Sequence, residues 1–87
     1  RGISDLPLQT VLIQFAEECS EASQAALKLV RSMHGDTPVS EAECRSRLLE
    51  EIADVYVTAL ALHPDRMTIE AIARQKAKRW ERRINES

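Results

Sequence analysis

Glycine, proline and aromatic residues are scarce in this sequence. Its 87 residues include two Gly, three Pro and one each of Phe, Tyr and Trp. With so little material for tight turns, and no stretch in which apolar and polar residues alternate, a β-sheet fold is not expected. The apolar residues are mainly Leu, Ile, Val and Ala, which is typical of a helical bundle. The length predicts one small domain, residues 1–87, with a modest core.

The chain also lacks an excess of positive charge, a long apolar run and a cysteine motif. Its net charge is −2, whereas a dedicated nucleic-acid binder is usually strongly basic, so we expect no nucleic-acid partner. No apolar run reaches the roughly 18 residues of a membrane span, and no signal peptide is recognisable, so we expect no membrane partner. Cys19 and Cys44 have no zinc-type or paired spacing, which indicates buried thiols in a reducing cytoplasm.

The first predicted helix runs from about residue 8 to 33. Apolar residues recur there at steps of three and four over seven turns, which indicates an amphipathic helix. The following residues predict its end, because Gly35 suits a left-handed C-cap and Pro38 prevents simple continuation.

Two further helices are predicted, over residues 41–62 and 68–84. Ser40 and Glu43 have the spacing of a capping box at the start of the second helix. Thr68 is an acceptable N-cap for the third. Short connections between three helices predict an antiparallel all-α bundle.

The second helix is too apolar for a three-helix monomer to cover. Between Ile52 and Leu62 the only group that ionises below about pH 9 is Asp54, and a helix that is apolar all round is normally buried. We therefore expect the bundle to be completed by oligomerisation, most simply as a two-fold dimer with a shared core.

The carboxylate of Asp54 needs a partner in such surroundings, because burying a lone charge costs several kcal/mol. Glu51, one turn earlier, adds a second negative charge on the same side. Glu18 and Glu21 form a similar pair beside the apolar stripe of the first helix. An antiparallel arrangement predicts that the two pairs meet, and four carboxylate oxygens favour Mg²⁺ or Mn²⁺ over Zn²⁺.

The alternative is that these acids simply lie on solvated helix faces. We favour that interpretation for Glu17 and Glu50, although either could orient a water molecule. For Asp54 the apolar surroundings favour a functional role.

The third helix is basic, and three of its cations lie along the edge of its apolar stripe. These are Lys76, Arg79 and Arg83. Together with Lys28 on the first helix, they predict a site where metal and cations neutralise the charge of a triphosphate. Ion pairing with acids of the bundle is the structural alternative.

The two acidic segments resemble motifs of a known family. Glu17-Glu18-Cys19-Ser20-Glu21 resembles the EExxE motif, and Glu51-Ile52-Ala53-Asp54 the ExxD motif, of the MazG-like all-α nucleoside triphosphate pyrophosphohydrolases. The resemblance extends over about residues 11–84. It is fairly specific because both motifs occur in order on successive helices and a basic third helix follows them.

This resemblance implies a Mg²⁺-dependent enzyme that cleaves a (deoxy)nucleoside triphosphate between its α- and β-phosphates. It implies a homodimer or homotetramer. The metal ligands would be Glu18, Glu21, Glu51 and Asp54. Glu17 or Glu18 would orient or deprotonate the attacking water. Lys28, Lys76 and Arg79 resemble the phosphate-contacting positions of the family.

Two other functions remain open at this point. One is the related phosphoribosyl-ATP pyrophosphohydrolase reaction, which has the same chemistry on a modified nucleotide. The other is a non-catalytic helical dimerisation or regulatory module in which the acids are ion-pair partners.

Overall fold

The structure, a computed structural model, describes residues 2–86 except the side chain of Ser4, and within them it is all-helical with no strand. The helices are α1 (Leu8–Met33), α2 (Glu41–Ala61) and α3 (Arg66–Glu86), preceded by a short 3-10 helix over Ile3–Asp5. The all-α prediction is confirmed, and every predicted helix end lies within two residues of the observed one.

Helices α1 and α2 form a packed hairpin, and the short 3-10 helix contacts α2. The buried apolar side chains of the described residues are Val11, Ala25, Leu29, Cys44 and Ala61. Val11, Ala25 and Leu29 are separated by 14 and four residues, close to whole helical turns, so one side of α1 faces α2.

The turn between α1 and α2 follows from its local sequence. Gly35 has a φ of 72°, the left-handed conformation that glycine adopts without steric cost. Its amide donates to the carbonyl of Ser32 at 3.2 Å, while the amide of Asp36 donates to that of Arg31 at 2.9 Å. The hydroxyl of Ser40 then accepts from the amide of Glu43 at 3.2 Å, as the capping-box spacing predicts.

Helix α3 begins two residues earlier than predicted, because Asp65 rather than Thr68 is its N-cap. The Asp65 carboxylate accepts from the amide of Met67 at 3.0 Å and from the hydroxyl of Thr68 at 2.9 Å. The carbonyl of Asp65 accepts from the amide of Ile69 at 2.9 Å, the first bond of the helix. Asp65 therefore caps α3 with both its side-chain carboxylate and its backbone carbonyl.

Helix α3 stands away from the hairpin. Within residues 2–86 it buries no side chain and has no packed interface with α1 or α2. The radius of gyration is 16.3 Å, compared with about 12 Å for a compact domain of this length. A single chain is therefore a two-helix hairpin with a projecting third helix.

The apolar residues of α2 are largely exposed in this chain. Leu49 is 68 % and Tyr56 62 % accessible, and Ile52 and Leu60 are also exposed. The chain by itself therefore does not cover α2, the helix that the sequence predicts to be covered.

Within residues 2–86 no helix combines the length and hydropathy needed to cross a bilayer.

Candidate metal centre

Three acidic side chains from α1 and α2 converge at the middle of the hairpin. One carboxylate oxygen each from Glu18, Glu51 and Asp54 lies within 4.8 Å of the other two. The antiparallel hairpin thus joins one member of the acidic pair on α1 with both members of the pair on α2. A cation placed among these oxygens meets ligands of one chemical type.

The helix period decides which acid of α2 is buried, and it is not the one expected. Cys44, Glu51 and Thr58 follow one another at steps of seven and are buried against α1, with Glu51 only 5 % accessible. Asp54 lies at the edge of this row and is exposed. The expectation that Asp54 is the buried charge is therefore wrong for the single chain, and Glu51 has that position.

The carboxylates of Glu18 and Glu51 each have one oxygen that accepts a hydrogen bond and one oxygen that does not. Oε1 of Glu51 accepts from Nε of Arg47 at 2.9 Å, and Oε1 of Glu18 accepts from Nε2 of Gln14 at 2.8 Å. Their Oε2 atoms are buried and have no hydrogen-bond partner. Leaving a buried carboxylate oxygen unpaired is costly, so a further positively charged or donating group at these two Oε2 atoms would stabilise the cluster.

Glu21 lies beside this cluster, and the negative charges of the cluster affect its pKa. Its pKa is raised above the ordinary value of 4.5, chiefly because the carboxylate of Glu18 repels its negative form and then because that of Glu51 does; Arg47 offsets part of the effect. A protonated Glu21 also gains a hydrogen bond to Glu51. Protonation of Glu21 therefore relieves part of this repulsion.

A cleft of about 240 Å³ adjoins the cluster. It is lined by Ile3, Gln14, Glu18, Asp54, Val57 and Thr58. The hydroxyl of Thr58 donates to the backbone carbonyl of Asp54 at 3.0 Å, so the side chain of Thr58 that lines the cleft is held against the backbone of α2. Its volume is enough for several water molecules or a small ligand group.

The neighbouring acids Glu17 and Glu50 are exposed. Neither belongs to the group of converging carboxylates among the described residues. The solvated interpretation predicted for both agrees with this exposure.

The predicted cations divide between two regions. Lys28, on α1, lines a cavity together with Arg47. Lys76, Arg79 and Arg83 lie on α3, which does not pack beside the carboxylates in this chain. The guanidinium of Arg83 lies 5.9 Å from the ring centre of Trp80. The structure therefore does not bring the basic edge of α3 to the acidic cluster within the single chain.

Sequence reasoning did not single out Gln14 and Arg47, although both hold a carboxylate of the cluster. Each lies four residues before its acid, one helical turn away. The i, i+4 spacing between each of these residues and its acid is the sequence feature that identifies them.

The donor set fits a hard divalent cation. It consists of carboxylate oxygens, it includes two buried oxygens that have no hydrogen-bond partner, and it opens onto a cleft. Mg²⁺ and Mn²⁺ prefer such oxygen ligands and keep several waters. Glu18, Glu51 and Asp54 are the residues suited to hold the ion, with Glu21 adjacent.

Comparison of the chain with protein-family models, with curated proteins and with solved structures finds no match in any of the three. None of the three comparisons therefore assigns the chain to a family.

Proposed function

We propose that this chain is a Mg²⁺-dependent pyrophosphohydrolase that cleaves (deoxy)nucleoside triphosphates between the α- and β-phosphates. Mn²⁺ is the expected substitute for Mg²⁺. The observation that carries the proposal is the carboxylate cluster, in which one oxygen each of Glu18, Glu51 and Asp54 lies within 4.8 Å of the other two. In addition, Oε2 of Glu51 is buried and has no hydrogen-bond partner. An assembly of this kind is unstable by itself and becomes favourable when a divalent cation occupies it.

The residues of the chain supply position and charge. Gln14 fixes the orientation of Glu18, and Arg47 fixes that of Glu51. Of the two predicted proton acceptors, Glu18 belongs to the cluster whereas Glu17 is exposed, so Glu18 is the better placed to accept a proton from water.

The proposed reaction is hydrolysis of a phosphoanhydride. A water molecule adds to one phosphorus as the anhydride bond between the α- and β-phosphates breaks, and its proton passes to a carboxylate. The products are a monophosphate and pyrophosphate. A divalent cation, when bound, neutralises phosphate charge and makes water more acidic.

Glu51→Gln tests this proposal. The amide keeps the shape of the side chain but removes the charge, so pyrophosphate release should fall by more than the 10- to 100-fold typical of residues that only orient a metal ligand. Glu50→Gln is the matched control, because it removes the same charge from the exposed neighbouring position, and it should remain active.

The assay measures pyrophosphate release from the eight common nucleoside triphosphates and from phosphoribosyl-ATP, each with Mg²⁺. Turnover of phosphoribosyl-ATP alone would replace the proposed substrate class with the related one. Absence of release from every substrate, or equal activity of Glu51→Gln and wild type, would contradict the enzymatic proposal.

The proposal includes a homodimer or homotetramer. The chain exposes 7114 Å², whereas a folded monomer of 9.8 kDa exposes about 5,200 Å². The excess, about 1,900 Å² per chain, is of the size that obligate subunit interfaces bury. Large apolar side chains of all three helices are exposed, including Leu27, Tyr56 and Trp80.

This exposed surface also favours a second candidate function, a non-catalytic helical interaction module. In that case the acids are only ion-pair partners, as Glu51 is for Arg47. A thermal shift on adding Mg²⁺ separates the two functions, because an ion that binds only the native state must stabilise it. No shift would support the module.

The proposed setting is the cytoplasm. Cys19 and Cys44 are both free thiols, and Cys44 is buried. A reducing compartment keeps such thiols unpaired.

A further inference from the structure

The segment before α1 contributes to the wall of the carboxylate cleft. Its short 3-10 helix, Ile3–Asp5, contacts α2, and Ile3 lines the cleft together with Glu18 and Asp54. Among the described side chains of residues 2–10, Ile3 alone is half-buried, and the others are exposed. Ile3 is therefore the side chain with which this segment reaches the cleft.

The cleft has a polar side and an apolar side. Its polar side includes Gln14 and the carboxylates of Glu18 and Asp54. Its apolar side includes Ile3 and Val57. An apolar surface beside a metal site limits the access of solvent and lowers the local dielectric, which strengthens the attraction between carboxylates and a cation. Val57 is fixed on α2, so Ile3 is the part of the apolar side that can move.

Local hydrogen bonds hold this segment in its turn. The amide of Gly2 donates to Oδ2 of Asp5 at 3.0 Å. The amide of Asp5 donates to the carbonyl of Gly2 at 3.0 Å, and the amide of Leu6 donates to that of Ile3 at 3.2 Å. The bond to the Asp5 carboxylate is exposed to solvent. A short segment with exposed bonds and few buried contacts opens at a low cost in free energy.

The junction with α1 sets the direction of the segment. Pro7 has a φ of −54°, close to the value that its ring imposes. Leu6 is extended, with a ψ of 155°, as a residue before proline prefers. The path from α1 is therefore fixed locally, whereas closure over the cleft depends on the turn at Asp5 and on the contact made by Ile3.

We propose that residues 2–6 form a strap that closes the apolar side of the carboxylate cleft, with Ile3 as a positioning residue of the cation site. The closed strap keeps water away from the carboxylates, and the open strap admits the cation and the ligand that it carries. The strap requires only that the cluster binds a divalent cation. That the ligand is a triphosphate rests on the proposed function.

Closure of the strap has two measurable consequences. The apolar side chain of Ile3 raises the affinity for the cation, because it lowers the dielectric around the carboxylates. The turn at Asp5 slows release of the cation, because the strap has to open first. Loss of Ile3 should therefore weaken binding, and loss of the Asp5 bond should speed release.

Mn²⁺ alone is the probe for both consequences. Electron paramagnetic resonance measures the free ion at equilibrium, and capture by excess EDTA measures the release rate. Ile3→Ala should bind Mn²⁺ about tenfold more weakly, as is typical when a group surrounding the metal ligands is lost. Leu6→Ala is the matched control and should keep the wild-type affinity. Leu6 is an exposed apolar residue of the same strap and does not line the cleft.

Asp5→Ala tests the bond that closes the turn. It removes the oxygen that accepts from the amide of Gly2, so Mn²⁺ should be released faster than from wild type. Asp5→Asn is the control for charge. Because Asn caps a turn of helix as well as Asp does, this variant should release Mn²⁺ at the wild-type rate.

The relaxation of water protons by bound Mn²⁺ separates exclusion of water from a general loss of stability. In Ile3→Ala more water should reach the bound ion, and the relaxation rate should rise. A variant that is only less stable would leave the water around the bound ion unchanged. Ile3→Leu keeps an apolar side chain of similar size and should restore both affinity and relaxation.

Wild-type affinity and relaxation in Ile3→Ala would overturn the strap. Equal weakening by Leu6→Ala would also overturn it, because the effect would then not depend on the side chain that lines the cleft. Equally fast release from Asp5→Asn and Asp5→Ala would mean that charge, and not the closing bond, controls release. Absence of Mn²⁺ binding by wild type would overturn the strap together with the metal site.

The strap and the enzymatic proposal can fail separately. If the variants change Mn²⁺ binding as expected but wild type releases no pyrophosphate from any triphosphate, the strap stands and the proposed function fails. If wild type hydrolyses a triphosphate and Ile3→Ala binds Mn²⁺ as wild type does, the proposed function stands and the strap fails.

Discussion

Glu51 shows what sequence reasoning misses at the scale of one residue. The spacing of Glu51 and Asp54 predicts that both flank the hairpin, but the sequence alone does not tell which of them faces α1. The steps of seven from Cys44 through Glu51 to Thr58 decide it, since all three are buried. An apolar run on both sides of Asp54 indicates burial only if another helix covers that run.

Glu21 gives the carboxylate cluster a pH dependence that can be measured. Its folded-state pKa is raised above 4.5, so the native protein binds more protons than the unfolded chain at pH values just above 4.5. By linkage, this group's contribution to stability is complete below that pH and is lost as pH rises through the folded pKa.

Thermal unfolding followed from pH 4 upward in EDTA should therefore show a loss of stability that Glu21→Gln reduces. Mg²⁺ should oppose the loss, because it neutralises the repulsion from Glu18 and Glu51. An identical pH profile for Glu21→Gln and wild type would mean that the carboxylates do not interact in solution.

At the scale of elements, the helices were predictable because their signals are local. The periodicity of α1, Gly35 and the Ser40 cap each act within a few residues, and all three predictions agree with the structure. The start of α3 was missed because Asp65 and Thr68 are both good N-caps. Only the hydrogen bonds show that Asp65 caps the helix and that the hydroxyl of Thr68 donates to the carboxylate of Asp65.

Asp65→Ala should fray the first turn of α3. The Asp65 carboxylate accepts hydrogen bonds from the hydroxyl of Thr68 and from backbone amides of α3, and these bonds lower its pKa below 3.8. The contribution of the cap to stability is therefore fully present above pH 3.8 and is lost as pH falls through the lowered pKa. Since α3 buries no side chain in the chain, no packing replaces the cap. Amide exchange in residues 66–69 should accelerate.

Asp36→Ala is the control for this change, as it removes an exposed loop acid of the same type. Amide exchange in α1 and α2 should be unaffected in both variants. Unchanged protection of residues 66–69 in Asp65→Ala would show that contacts absent from the single chain hold the start of α3.

The whole molecule combines an acidic hairpin with a basic helix. Residues 1–65 contain 11 acids and five Lys or Arg, whereas residues 66–87 contain three acids and seven. Opposite charge on two parts that do not pack together favours their contact between chains. Neither this separation nor the relative position of α3 follows from local sequence signals, because both depend on which surfaces meet.

Ile52→Glu should therefore shift the protein from oligomer to monomer. Ile52 is 49 % accessible and lies among other exposed apolar residues of α2, so a charge there would be desolvated if a second copy covers this surface. Ser46→Glu places the same charge on an exposed residue about 120° around the helix and should leave the oligomer intact. Light scattering coupled to size exclusion measures the mass of each, and a wild type that is monomeric at micromolar concentration would mean that the apolar surface of α2 serves a different partner.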